Sequence, residues 1–242
     1  MNYLSKINDL PSDKTFTKED LLTEQFLLNK DRDLEIYYSP HNEFINTEAR
    51  IAIVGITPGW TQMKTAFQEA KLLLSKGMEA GQIFKEVKMA ASFSGSMRKN
   101  LISMLDECGI ADALELDASS SLFHEKRSLL HTTSVIKHPA FHRNKNYTGH
   151  IPKIHRSPVL SAYAFTCFPN ELEKLKHQLL VIPLGKAAED VIAALENKKK
   201  LPNHFYLYGF PHPSGANGHR LGQFNQNMGQ LKEIIGNWKH TL

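Results

Sequence analysis

Cysteine is scarce. The 242 residues hold two, Cys108 and Cys167. Two thiols cannot form the disulfide framework of a small secreted domain, and one chain cannot ligate an iron–sulfur cluster with them alone. They fit reduced thiols in a cytoplasmic protein. Long apolar runs are also missing: nothing approaches the roughly 18 consecutive apolar residues that read as a membrane span. The amino terminus, MNYLSKINDLPSDK, is polar and has no signal-peptide apolar core. No Gly-Lys-Ser/Thr follows the glycine turn at Gly55 to Gly59, so that turn is not a P-loop.

Acid is missing from two long stretches. Residues 126–170 contain no Asp or Glu but seven Lys/Arg and five His. Residues 197–232 again contain none, with five Lys/Arg and three His. The net charge of +4 hides this segregation, because 19 of the 25 acids precede residue 126. Segregated positive charge on glycine- and proline-rich segments is the pattern expected of a surface that meets phosphate backbones. A solvated surface with a chance gap in acids fits the same pattern.

The length suits one sizeable core. Residues 50–242 read as an α/β domain, and residues 1–49 as an amino-terminal extension packing on it. In the extension, residues 17–30 (TKEDLLTEQFLLNK) have amphipathic helical spacing, with Thr15 or Thr17 as N-cap. Residues 36–40 form an extended lead-in. Short apolar, β-branched runs predict buried parallel strands at residues 51–54, 128–137, 179–185 and 204–210. Helical spacing is found at residues 61–75, 82–91, 97–108, 171–178, 186–195 and 221–238. Strands alternating with helices indicate a parallel, three-layered α/β/α sheet. His138, His142, His150 and His155 invite a zinc site, but Pro139 breaks any shared helical face and the spacings match no familiar metal site. No metal and no cofactor are expected.

Two loops stand out. Ile51 to Val54 is followed by Gly55-Ile56-Thr57-Pro58-Gly59, which places Thr57 and backbone amides at a strand's carboxyl end. Far downstream, Phe210-Pro211-His212-Pro213-Ser214-Gly215-Ala216-Asn217-Gly218-His219-Arg220 lies between an aromatic strand and the last helix. Its prolines exclude a helix interior or central strand, and its glycines permit tight turns or a close ligand. Together these loops resemble the two motifs of the uracil-DNA glycosylase superfamily, in the same order and with a wide separation. The resemblance spans residues 50–238.

That resemblance implies a four-stranded parallel sheet in order 2-1-3-4 and a base-flipping hydrolase. Breaking an N-glycosidic bond puts negative charge on the departing base, so donors aimed at that charge are the useful groups. By resemblance, His212 donates to the pyrimidine O2 and Thr57 positions water. Gly55, Ile56 and Trp60 border the base. Phe93, in Phe93-Ser94-Gly95, stacks on it, although a core phenylalanine at a helix boundary fits equally. Ser134 stands where uracil enzymes carry a discriminating Asn. Ser214, Gly215, Asn217, His219, Arg220, Lys137, Arg143 and Lys145 would contact DNA.

Three departures matter. Thr57 replaces the Asp, Asn or Glu that often orients water in the family, and a threonine is no general base at neutral pH. Ser134 cannot make the bidentate contact of an Asn. Ala216 is a small wedge for the vacated stack, leaving His219 or Arg220 to fill it. The expectation is therefore a monofunctional, monomeric DNA glycosylase for a modified pyrimidine. Glucosylated hydroxymethylcytosine in phage DNA is the example, with a role in antiphage defence. Uracil or deaminated-base repair, a non-catalytic nucleic-acid-binding module and a nucleotide hydrolase on the same sheet are the alternatives.

Overall fold

The computed structural model describes residues 3–11 and 15–242. Residues 1, 2 and 12–14, part of the stretch read as lacking a signal sequence, lie outside the described residues. The chain opens with α1 (Tyr3–Asn8) and α2 (Lys18–Leu21). The helix expected over residues 17–30 is thus a single turn. Thr17 precedes it and donates its backbone N–H to the Asp20 carboxylate at 2.8 Å. The remainder becomes β1 (Leu27–Asp31), which turns back through Arg32 and Asp33 into β2 (Leu34–Tyr37). Amphipathic spacing gave way here to a local hairpin, β1 pairing antiparallel with β2. β2 pairs antiparallel with β5 (Ala140–His142), which hairpins into β6 (Lys145–Asn146). The basic segment after residue 137 is therefore half of a second sheet of order β1-β2-β5-β6.

Between these parts run β3 (Ile51–Gly55), α3 (Trp60–Ser75), α4 (Ala80–Ala91), α5 (Ser96–Glu107), α6 (Ile110–Ala113) and β4 (Leu130–Ser134). After the second sheet come α7 (Pro158–Ala162), α8 (Phe168–Leu172), β7 (Leu180–Pro183), α9 (Lys186–Asn197), β8 (Phe205–Tyr206) and α10 (Arg220–Lys239). The helix expected at residues 171–178 lies upstream. Pro158 starts that helical stretch, with Ser157 capping it by accepting from the Leu160 N–H. β8 is shorter than expected: Leu207 still donates to Val181, but Gly209 at φ +84° then turns the chain away.

The parallel sheet has the order β4-β3-β7-β8, which is 2-1-3-4 in core strand sequence. The α/β/α architecture follows from the period-two alternation of β3. Ala52 and Val54 face a layer made by α7, α8 and α9. Ile51 and Ile53 face the opposite layer, where Leu105 of α5 and Phe224, Ile235 and Trp238 of α10 pack. A third cluster joins α3 and α4 to the amino-terminal segment through Phe16, Phe26, Phe67 and Val87. Among the described residues, no helix is long and apolar enough to cross a membrane.

Candidate active site at the carboxyl edge of the parallel sheet

In an open parallel sheet the strand carboxyl ends carry ligand-binding loops. Here the loops after β3 and β8 meet the ends of β4 and β7. Gly185, directly after β7, donates its N–H to the Phe210 carbonyl at 2.9 Å. A Cβ built on Gly185 would lie 2.9 Å from the His212 Cβ, and its φ is +79°. Only glycine fits there without displacement. The sequence reading missed Gly185, although a glycine between a buried strand and a helix was a visible signal.

His212 is half-buried, and burial holds its pKa below the usual histidine range. The Ser214 N–H donates to its Nδ1 at 3.2 Å. An imidazole nitrogen that accepts is unprotonated, so the neutral ring carries its proton on Nε2. The rest of the loop is braced internally. Asn217 donates to the His212 carbonyl at 3.3 Å, and Ser214 Oγ accepts from the Ala216 N–H at 3.2 Å. Arg220 donates to the Ser214 carbonyl at 3.0 Å and the Pro213 carbonyl at 3.3 Å. Asn100 of α5, which the sequence did not single out, donates to the Pro213 carbonyl at 2.9 Å. His219 is exposed. Gly215 and Gly218 are exposed with nothing near a built Cβ, and neither has positive φ. Both glycines nonetheless sit in tight turns, closed by the Asn217 N–H donating to the Ser214 carbonyl at 3.0 Å and the Arg220 N–H to the Asn217 carbonyl at 3.2 Å, and the space beside them is open.

Three of the proposed base-binding residues converge. A Cβ at Gly55 would lie 3.4 Å from Ser134 Oγ and 3.7 Å from the Phe93 ring. Gly55 and Ser134 are register partners at the ends of β3 and β4. Ser134 Oγ has no hydrogen-bond partner among the described residues. Phe93 is buried at φ +52°, a strained conformation for a phenylalanine. Its N–H donates to the Gln62 Oε1 at 3.1 Å. Ile56 and Trp60 point elsewhere: Ile56 packs into the α9 layer, and Trp60 packs on the amino-terminal cluster. The Trp60 N–H is taken by Asn146 Oδ1 at 3.1 Å.

Thr57 is committed. Its hydroxyl donates to the His138 carbonyl at 2.9 Å and accepts from the Ala140 N–H at 3.0 Å. One lone pair remains, so Thr57 can receive a hydrogen bond from water but cannot donate one. It clips the β3 loop to the strand entering the second sheet.

The cations also differ from their linear pattern. Lys137 pairs with Glu43 at 3.0 Å and Arg143 with Asp33 at 2.9 Å. Both acids come from the amino-terminal segment, which fills the acid gap in space. Lys145 is exposed without a partner among the described residues. No group of three or more His, Cys, Asp or Glu is placed to hold a metal among them. His138 is buried against Tyr38 and Tyr163, and desolvation pushes its pKa down to about 3.

No family model matches the chain. It is 53% identical over 233 residues to the uncharacterized protein YoxB of Bacillus subtilis (strain 168), covering 96% of this chain and 90% of YoxB. The chain belongs to the YoxB family. YoxB is described only as uncharacterized, so kinship with it assigns no activity. The crystal structure of Pedobacter heparinus SMUG2 aligns over 98% of this chain and 99% of its own, with 13% identity and a TM-score of 0.46. A likeness at that level transfers no chemistry.

Proposed function

We propose that this protein is a monofunctional DNA glycosylase of the uracil-DNA glycosylase superfamily. The observation that carries the reading is the convergence of Gly55, Phe93 and Ser134 at the ends of β3 and β4, with His212, its proton held on Nε2, packed against Gly185 at the end of the neighbouring β7. In the reaction the C1′–N bond breaks and its electron pair goes to the base. The His212 Nε2–H donates to the base oxygen where that charge collects. Water adds to C1′ and releases a proton, leaving an abasic site. A neutral donor suits this task, because it stabilises the developing anion and keeps its own proton. The basic loops grip phosphates while the nucleotide is extruded.

The substrate of this reading is a modified pyrimidine in cytoplasmic DNA. Ser134 offers one hydroxyl where two paired contacts would select plain uracil. A glucosylated hydroxymethylcytosine of phage DNA fits that looser selection, and its removal would act as defence. The committed Thr57 hydroxyl favours a second reading, a nucleic-acid-binding module without catalysis.

Base release separates the two. Glucosylated phage DNA and a uracil oligonucleotide are incubated with the parent protein and with His212→Ala. Abasic sites are read by alkali cleavage, and the freed base by mass spectrometry. Release from phage DNA alone, abolished in the variant, supports the modified-base reading. Uracil release alone returns the protein to repair. DNA binding without release from any substrate supports the module.

A further inference from the structure

A cavity of about 380 Å³ opens at the opposite edge of the parallel sheet. Leu130, the first residue of β4, lines it. Ser134, at the far end of that strand, is about 13 Å away at the usual strand rise. Nothing in the proposed glycosylase chemistry uses this cavity.

Its polar lining is unusual in charge. Lys88 is 2% exposed, and its Nζ donates to the Phe44 carbonyl at 2.7 Å. Arg127 donates through Nη2 to Thr132 Oγ1 at 3.0 Å and Ser92 Oγ at 3.2 Å. Its Nη1 is buried with no partner among the described residues. Beside it, Arg98 is satisfied by the Met89, Ala90 and Ser92 carbonyls at the end of α4. Arg98 and Arg127 both lie over the Phe123 ring, at 5.5 and 6.0 Å. Three cations thus share one region, and among the described residues no carboxylate bonds any of them. Buried charge that no carboxylate bonds directly is costly and is normally paired or ligated. Desolvation is the main cause that pushes Lys88 down to about 7, with Arg127 and Lys137 adding to it and Glu171 and Glu43 opposing.

The rim is mixed, with Lys85 and His124 set against Glu86 and Glu125. Glu86 is engaged by Gln82 at 2.6 Å. Phe44, Met89 and Leu130 supply apolar wall. The volume falls within the roughly 300–1,000 Å³ of small-molecule pockets. An arginine fork beside a lysine point charge matches the oxygens of a phosphate.

We infer that this cavity binds a small phosphate monoester, its phosphate between Lys88 and Arg127 and its remaining part against Phe44, Met89 and Leu130. The inference is independent of the reading of the other sheet edge.

The test is calorimetric titration of the full chain with inorganic phosphate and with a nucleoside 5′-monophosphate, at constant ionic strength in chloride. Saturable binding is expected, at least tenfold tighter for the nucleotide. Lys88→Met should weaken both at least tenfold while melting no lower than the parent in phosphate-free buffer. Amide resonance shifts should fall in residues 44–46, 85–89 and 124–130. That map decides the matter even if the variant fails to fold. Heats no larger than those of a chloride control, equal affinity for the two probes, unchanged affinity in Lys88→Met, or shifts confined to residues 212–220 would each overturn the assignment.

Discussion

The Ser214 backbone N–H points at Nδ1 of His212 from 3.2 Å, so the loop itself selects the histidine tautomer. Nitrogen-15 shifts of the His212 ring should report an unprotonated Nδ1 and a protonated Nε2 at neutral pH, burial holding its pKa below the usual histidine range. Ser214→Ala keeps that N–H and should leave the tautomer unchanged. Ser214→Pro removes it and should give mixed tautomers. In the glycosylase reading, His212→Ala should lower base release by about 100- to 1,000-fold, the cost of one oxyanion donor, while DNA binding persists. Mixed shifts in the parent would sink the tautomer argument before any kinetics.

Gly185 is the second support of His212. At φ +79°, with a Cβ only 2.9 Å from that of His212, Gly185→Ala is strained and pushes directly on the histidine. A destabilisation of about 1–3 kcal/mol is expected from the backbone alone. Base release should fall by more than the stability loss explains, measured at a temperature where the variant is fully folded. Wild-type release in a folded Gly185→Ala protein would mean that His212 is not the group that matters.

Thr57 is expected to act first on stability. Thr57→Val leaves the Ala140 N–H without its acceptor and the His138 carbonyl without its donor. Unsatisfied groups of this kind cost about 1–3 kcal/mol each. Thr57→Ser restores both contacts and should melt close to the parent. Calorimetric melting of the three proteins checks this, and equal midpoints for Val and Ser would refute the clip.

Acid should destabilise the fold over a defined window. Desolvation holds His131 and His204 down to about 4 and His138 to about 3. His41, fully buried beside Ser39, is also held well below the usual range. The unfolded chain takes up protons near pH 6.5 that the folded chain refuses until about pH 4. Stability from these groups is therefore complete above pH 6.5 and is lost as pH falls toward 4. Each histidine contributes up to about 1.4 kcal/mol per pH unit within that window. Denaturant midpoints between pH 7.5 and 4.5 provide the measurement, and a flat profile contradicts the burial of these rings.

The parallel sheet was legible because its strands are short apolar runs set between helices, a pattern carried by neighbouring residues. The second sheet was not. Its pairing joins Leu34–Tyr37 to Ala140–His142, and residues 17–30, despite helical spacing, supply the strand that hairpins onto Leu34–Tyr37. The site divides in the same way. Gly55, Phe93 and Ser134 were found through motif positions and do converge. The internal bonds of Thr57 and Arg220 could not be read, because they run to backbone groups, of the strand entering the second sheet for Thr57 and of its own loop for Arg220. A sequence gives side-chain identity but not which backbone groups need a partner.

The same distinction sets the expected salt dependence of DNA binding. Arg143 is 74% exposed but shares its charge with Asp33, whereas Lys145, two residues on, has no partner among the described residues. If the hairpin at the β5–β6 turn meets phosphates, Lys145 releases a counterion on binding and Arg143 does so only after leaving Asp33. Lys145→Ala should reduce the slope of log K against log salt by about one unit. Arg143→Ala should reduce it by less. Asp33→Asn should strengthen binding by freeing Arg143, and adding Arg143→Ala to Asp33→Asn should cancel the gain. Fluorescence anisotropy over a salt series separates these outcomes. Equal slopes in the parent and Lys145→Ala would place the DNA elsewhere and leave the hairpin as a structural lock on Gly59 and Trp60, through Asn146.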